Sequence, residues 1–462
     1  MPPEKSAYAL ARYSRSPDSI RDSLEWVRTH DSAKFLESFY FNYGHASIAD
    51  LGHVILCFEG ISELAATEIE DEQLWDGQAR SSRYQNFSKS GCIPPPGLTG
   101  HDASAYATAT ERMLAAYDEI HKRMCDFLSD SLPRPEEMKP EVYKRNIAAR
   151  AFDVARYVLP FGIPTGVGQV TSIRTLERQI RRLKASEYPE LREIAEEMTA
   201  ACAAPATCVW EASLAPDPVA PTLARHVDPD EHRAQSRADL EQWARENLPP
   251  AADEHSETVQ LSRPIDIHTD ITATLLYPVT TWSYAGLYEM VAGWSAARRN
   301  EVIDVALRSR DKRDELLRGF RGALYAFDIV MDIGAYRDMH RHRRCQQFRQ
   351  PYGGGLGYDM PTSLAEAGMQ GTYDSLMAET LNVKLPGNAA HYLLPFGARS
   401  RFLFKMDFAE AEYIARLRSG VKGHFSYRKI AWEMKCAMQK LEPELGRLME
   451  ATPPWIEDPL KR

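Results

Sequence analysis

The chain has 462 residues, 44% of them hydrophobic and 26% charged, with a net charge of −9 at neutral pH. That is ordinary globular composition at a length that suggests two to three domains. The acidic balance argues against a general nucleic-acid binder, whose affinity rests on broad phosphate neutralisation. The N-terminus lacks a signal-type apolar core and no run of about 18 apolar residues occurs, so a soluble, cytoplasmic protein that does not engage membranes is expected. The seven cysteines are scattered without a C-x-x-C, which points away from a disulfide scaffold or a metal site.

Residues 1–30 predict an opening helix with Trp26 turned inward. The loop Tyr43-Gly-His-Ala-Ser47 precedes an apolar stretch, 48–69, in which Leu51, Val54, Ile55 and Phe58 recur at helical spacing. His53 lies within that face and reads as a hydrogen-bonded core residue. Residues 84–96 form a turn-rich loop. Helices are expected over 103–130, over 142–158 and, heavily charged, over 171–202. Between 212 and 264 the composition shifts to Pro, Ala, Asp and Glu, which predicts a linker with a helical insert near 230–246. A second globular half follows, with an apolar run at 323–333 that is again expected to be helical.

The halves repeat each other. RYVLPFG at 156–162 returns as HYLLPFG at 391–397, and each half carries an upstream apolar run with a Phe-acid pair, Phe58-Glu59 and Phe327-Asp328. The same features in the same order, twice, indicate an internal duplication. The domains are therefore expected at 1–211 and 265–462, joined by the linker 212–264.

The densest chemistry follows the second apolar run. Arg337-Asp-Met-His-Arg-His-Arg-Arg344 packs four arginines and two histidines into eight residues. On a helix Arg337, Arg341 and Arg344 would share one face and repel, a cost that an anion offsets, and guanidinium forks suit phosphate oxygens. A phosphate or anionic-cofactor site, a nucleic-acid patch and a solvated charged face all fit this pattern. In the first half, Ser81, Ser82, Arg83 and Tyr84 place two hydroxyls, a guanidinium and a phenol side by side. Such a turn can ring a phosphate, or serve as a polar loop with an aromatic anchor.

Taken together these pieces resemble the flavin-dependent thymidylate synthases. That family's signature joins an Arg-His-Arg to a Ser-x-Arg-Tyr, with a Gly-His-x-Ser element upstream and an Ala-Arg-x-x-Leu-Pro block downstream. Gly44–Ser47, Arg341-His342-Arg343, Ser81-Ser82-Arg83-Tyr84 and Ala155-Arg156-Tyr-Val-Leu-Pro160 match these elements. Arg418 fits a late nucleotide-binding arginine. The departures are complementary: the second half has Pro351-Tyr352-Gly353 where Ser-x-Arg-Tyr belongs, and the first has Glu70-Asp-Glu-Gln73 where Arg-His-Arg belongs.

The resemblance implies an α+β protein of two tandem domains, each a mixed sheet with long helices. It implies FAD as cofactor, NADPH and methylenetetrahydrofolate as cosubstrates, and methylation of a uracil nucleotide, dUMP first, at C5. Flavin would be held by Arg337, Arg341, His342, Arg343, His45 and Ser47. The nucleotide would be gripped by Ser81, Ser82, Arg83, Tyr84, Arg156 and Arg418, of which Arg156 and Arg418 also serve the chemistry. His424 would border the flavin. Because the family uses no cysteine nucleophile, Cys345 reads as a packing residue. A homodimer would reproduce the family's four-domain assembly.

Overall fold

In this computed structural model the described residues are all but 43–45, 208–216, 252–256, 312–313, 315, 323 and 461–462. The chain forms two compact units, and each draws on separated stretches. The first comprises Met1–Ile61, Ala65–Arg80 and Thr165–Ala234, and the second Ser62–Leu64, Ser81–Pro164 and Gln235–Arg462. The units interleave the sequence.

The first unit holds a three-stranded sheet in the order β1 (His53–Ser62), β3 (Pro164–Ser172), β2 (Asp76–Ala79). Strand β3 leads into the helix Ile173–Lys184, capped by the Ser172 hydroxyl, which accepts from the Thr175 amide. Two expectations change here. The stretch 48–69 is not one helix: a short 3-10 turn, Ala46–Leu51, runs into β1, and the α-helix Glu63–Ile69 begins only after it. Val54 and Phe58 are buried, but Ile55 is 72% exposed and His53 lies on the outer side of the strand. The helical spacing arose because Leu51 of the turn and Val54, Ile55 and Phe58 of the strand were read as one period. Trp26 does not turn inward either. It is largely exposed, stacked on His30 with Arg12 over its ring, while its neighbour Val27 fills the core position of the helix Ile20–Thr29.

The second unit contains a four-stranded antiparallel sheet in the order β4 (Val259–Ser262), β5 (Tyr325–Asp332), β7 (Arg399–Met406), β6 (Gln346–Arg349). The α+β class is as expected. The pairings of this sheet, and that of β2 with β3, are antiparallel rather than mixed. Along β5, Tyr325, Phe327, Ile329 and Met331 enter one core with the helices Phe408–Arg418 and Phe425–Leu441. Ala326 joins Leu403 and Phe348 in a second core, with residues of the helices Ile267–Leu276, Tyr284–Ala292 and Ala296–Leu307. A strand buried on both faces shows no alternation, which is why 323–333 read as a buried helix. Strand β4 falls within the stretch expected as linker, as does the helix Glu231–Asn247, close to the anticipated insert.

The duplication is visible in topology. The order β1–β3–β2 repeats as β5–β7–β6, and β1 and β5 each run directly into a short helix, Glu63–Ile69 and Ile333–Met339. Within the second unit the two LPFG loops bond to each other reciprocally. Phe161 N–H donates to the Leu394 carbonyl at 2.9 Å, and Phe396 N–H donates to that of Leu159 at 2.9 Å. Gly162 and Gly397 give the matching bonds to Tyr392 and Tyr157. A Cβ on Gly397 would fall 2.6 Å from the Tyr373 hydroxyl oxygen and 2.8 Å from the Tyr157 ring, so this approach requires glycine.

Candidate functional site

Four arginines converge inside the second unit, two from each half of the sequence. Arg83 follows Ser82 in the loop after β2, and Arg156 ends the helix Pro140–Ala155. Arg337 lies on the helix Ile333–Met339, and Arg418 ends the helix Phe408–Arg418. The Asp332 side chain caps Ile333–Met339, accepting from the Ala335 amide at 2.7 Å. Asp407 caps Phe408–Arg418 through the Glu410 amide. These caps set where each helix starts, and so fix how far each arginine reaches.

Arg83 is held by a two-pronged pair with Asp153, Nε to Oδ1 at 2.8 Å and Nη2 to Oδ2 at 3.1 Å. It also donates to the Tyr427 hydroxyl and the Lys422 carbonyl. Burial works against its charge, and the Asp153 carboxylate more than offsets that. Arg337 pairs with Glu63 and donates to the Ser82 hydroxyl at 2.9 Å, so the helix just before Arg341-His342-Arg343 touches the Ser-x-Arg-Tyr element. Arg156 is fully buried. Its Nη1 and Nη2 donate to one oxygen of Asp338 at 3.3 and 3.4 Å, and Nη2 also reaches the Gly334 carbonyl. Its Nε–H is buried without a hydrogen-bond partner among the described residues. A Cβ at Gly334 would stand 3.1 Å from Asp332 Oδ1 and 3.5 Å from Arg156 Nη2, so the missing side chain gives this corner its room.

Arg418 donates from Nε to His342 Nε2 at 2.7 Å, and His342 Nδ1 faces Glu410 at 3.5 Å. Burial, reinforced by the charge of Arg418, holds this imidazole below its usual pKa despite Glu410. A neutral ring with its proton on Nδ1 satisfies both contacts. His342 therefore points inward at Arg418, while Arg341 is exposed and Arg343 half-buried on the turn beyond Met339. The first unit has a counterpart to this corner. There Arg182 meets Glu72, in the acidic stretch, at 2.7 Å and bonds the Glu68 carbonyl. Where one half keeps a histidine, the other has an ion pair.

Of the remaining expected residues, Ser81 accepts from the Arg83 amide, and Tyr84 is 59% exposed with the Arg83 guanidinium 5.9 Å from its ring. Ser47 lies on the 3-10 turn of the first unit, and His45 falls outside the described residues. His424 is buried, its Nδ1 capping the helix Phe425–Leu441 and its Nε2 bonded to the Asp153 carbonyl. On β7, Arg399 and Arg401 pair with Asp359 and Asp328. Cys345 is buried, which pushes its thiol up to about 12, and it donates to the His342 carbonyl. The sequence reading missed the carboxylates: Glu63, Asp153, Asp338 and Glu410 stand against the very groups it singled out. Asp153 and Glu410 carried a signal, each an acid within the buried face of its helix.

Asp332 is a further buried acid of interest. Burial and the neighbouring Asp359 push its carboxyl up to about 6, although Ser426 and the Ala335 amide bond it. The folded state therefore holds this proton more tightly than the unfolded chain does. Its contribution to stability is present below pH ~4 and is lost as the pH rises through ~6, by up to about 3 kcal/mol. Urea melts across that range should show the decline, and Asp332→Asn should flatten it.

Comparison with known proteins accords with this geometry. The family profile described as "Thymidylate synthase complementing protein" matches residues 1–206 and 296–444. The chain belongs to this family, the flavin-dependent thymidylate synthases. Among curated relatives, a UPF0159 protein of Chlamydia muridarum is 25% identical over 435 residues, spanning 89% of this chain and 79% of its own length. A UPF0159 protein of Thermoplasma acidophilum is 23% identical, spanning 96% and 94%. Two solved structures are also similar. Thymidylate synthase X from Helicobacter pylori, with FAD and dUMP, is 14% identical, covering 43% of this chain and 88% of its own at a TM-score of 0.29. A UMP/dUMP methylase, PolB from Streptomyces cacaoi, bound with 5-Br dUMP, is 15% identical, covering 48% and 89% at 0.30. At such scores these likenesses carry no argument about the site. Among the described residues, no helix of this family member is long and apolar enough to cross a membrane.

Proposed function

We propose that this protein is a flavin-dependent methyltransferase acting at C5 of a uracil nucleotide, dUMP first, with methylenetetrahydrofolate and NADPH as cosubstrates. One observation carries the reading. Ser82, Arg83 and Arg156 from one half gather with Arg337, His342 and Arg418 from the other in a single compact unit. The two incomplete motif sets thus make one set.

In this reading Arg83 and Ser82 grip the nucleotide's phosphate, and Arg156 and Arg418 stand toward the uracil. Guanidinium groups beside the uracil carbonyls would stabilise the negative charge that builds as C5 becomes nucleophilic. Their burial makes that stabilisation stronger than it would be in water. Glu410 and His342 hold the Arg418 guanidinium in place without cancelling its charge. Arg341, exposed beside this corner, and Arg343 suit the diphosphate of FAD as anion partners. Bound flavin would supply the hydride. A homodimer would complete the assembly, with one site for each chain.

A second reading has one observation in its favour. Arg83, Arg156 and Arg337 are all paired with internal carboxylates, as they would be in a paralogue that binds nucleotide or flavin without turnover. The absorbance spectrum of the purified protein, followed by titration with dUMP, tests the first. A flavin band near ~450 nm that shifts with dUMP is expected. Arg341→Ala should lose flavin and keep the fold, and Arg83→Met combined with Asp153→Leu, which leaves no buried charge unpaired, should keep flavin and lose the nucleotide. A protein that takes up no FAD would remove the premise, and equal loss of flavin in both variants would refute the division of roles.

A further inference from the structure

The arginine cluster already contains an anion, and it belongs to the chain. Asp338 accepts from both terminal nitrogens of Arg156, at 3.3 and 3.4 Å, and its side chain is 18% exposed. Burial alone would raise its pKa. The charges of Arg156, Arg337, Arg83 and Arg418 outweigh burial and hold it ionised, below the usual carboxylate range. The relation is mutual, because the same carboxylate favours the charged forms of Arg83 and Arg418. Asp338 thus joins Asp153 and Glu63 in offsetting the repulsion among four guanidinium groups before any ligand arrives.

We propose that Asp338 is a built-in counter-ion that sets which anionic group the cluster accepts, by opposing a dianionic phosphate in the corner that Asp338 partly exposes while admitting a neutral or singly charged ring there. A phosphate monoester brought to that corner would meet the Asp338 carboxylate at close range where little water remains. Like charges at that range repel, and more strongly the less water remains between them. A uracil carbonyl meets no such penalty. Asp153 opposes an anion at Arg83 in the same way, but it engages only Nε and Nη2, and Nη1 turns toward the Tyr427 hydroxyl. The preference for a ring rests on the nucleotide reading given above; the charge effect of Asp338 on anion binding does not.

The test compares wild type, Asp338→Asn and Asp338→Glu by isothermal titration with inorganic phosphate and, separately, with dUMP. Asp338→Asn keeps the shape and removes the opposing charge, and it should bind inorganic phosphate roughly tenfold more tightly. Its selectivity for dUMP over free phosphate should fall by a similar factor. Asp338→Glu keeps the charge and should bind phosphate no more tightly than wild type. A folded Asp338→Asn variant with unchanged or weaker phosphate affinity would overturn the proposal. Tighter phosphate binding by Asp338→Glu would overturn it as well, and that comparison decides the matter if the Asn variant does not fold. If wild type ignores dUMP while Asp338→Asn still gains phosphate affinity, the nucleotide reading fails and the role of the counter-ion stands.

Discussion

Replacing Asp153 with alanine is expected to destabilise the protein by about 3–5 kcal/mol, the cost of leaving one partner of a buried ion pair uncompensated. The Arg83 guanidinium is nearly buried and both prongs of its fork rest on this carboxylate, with side-chain exposures of 10% and 3% for the two partners. Its remaining acceptors, the Tyr427 hydroxyl and the Lys422 carbonyl, carry no charge that could replace it. Urea melts read the loss directly. Removing both partners at once, Arg83→Met with Asp153→Leu, should recover most of the stability, because a well-packed apolar pair costs little where a lone charge costs much. Recovery of the melt without recovery of nucleotide binding would separate the structural role of the pair from its role in the site.

Arg418→Ala should do the opposite. Its Nε donates to a neutral imidazole, so its removal strands no buried carboxylate, and stability should change by about 1 kcal/mol or less. Nucleotide affinity should fall roughly a hundredfold, in the range for truncating a desolvated charged hydrogen-bonding group. Titration of dUMP followed through the flavin absorbance, beside a thermal melt, separates the two effects. A variant that melts far below wild type would show that Arg418 holds the fold more than the ligand.

Much of the candidate site was legible because its residues stand out by type. An arginine beside a histidine beside an arginine is hard to explain as packing, and two half-preserved motif sets in one chain pointed to each other. The Ser82–Arg337 bond at 2.9 Å joins the first motif to the basic stretch that carries the second. The carboxylates were not legible, since an acid on a helix is usually a solvated one. Asp153 and Asp338 become exceptional only when distant segments fold over them. The strands were missed for a related reason. Phe327 and Ala326 are both fully buried because helices cover both faces of β5, and a strand without a polar face shows no period of two. On β1, Val54 and Phe58 are spaced as a helix would space them, and only the exposed Ile55 between them shows otherwise.

The interleaved order of the second unit also has a consequence for synthesis. Arg156 and Asp338 are separated by 182 positions, and Arg83 and Tyr427 by 344. At about 5–20 residues per second, Arg156 leaves the ribosome some 10–40 s before its counter-ion is made. During that interval the helices Gly100–Ser131 and Pro140–Ala155 are complete, yet the loop that pairs with Leu159-Pro-Phe-Gly162 does not exist. The nascent chain must therefore carry apolar helices and a desolvation-prone arginine without their partners for many seconds. Slowing translation after residue 164 should lengthen that exposure, and faster translation should shorten it.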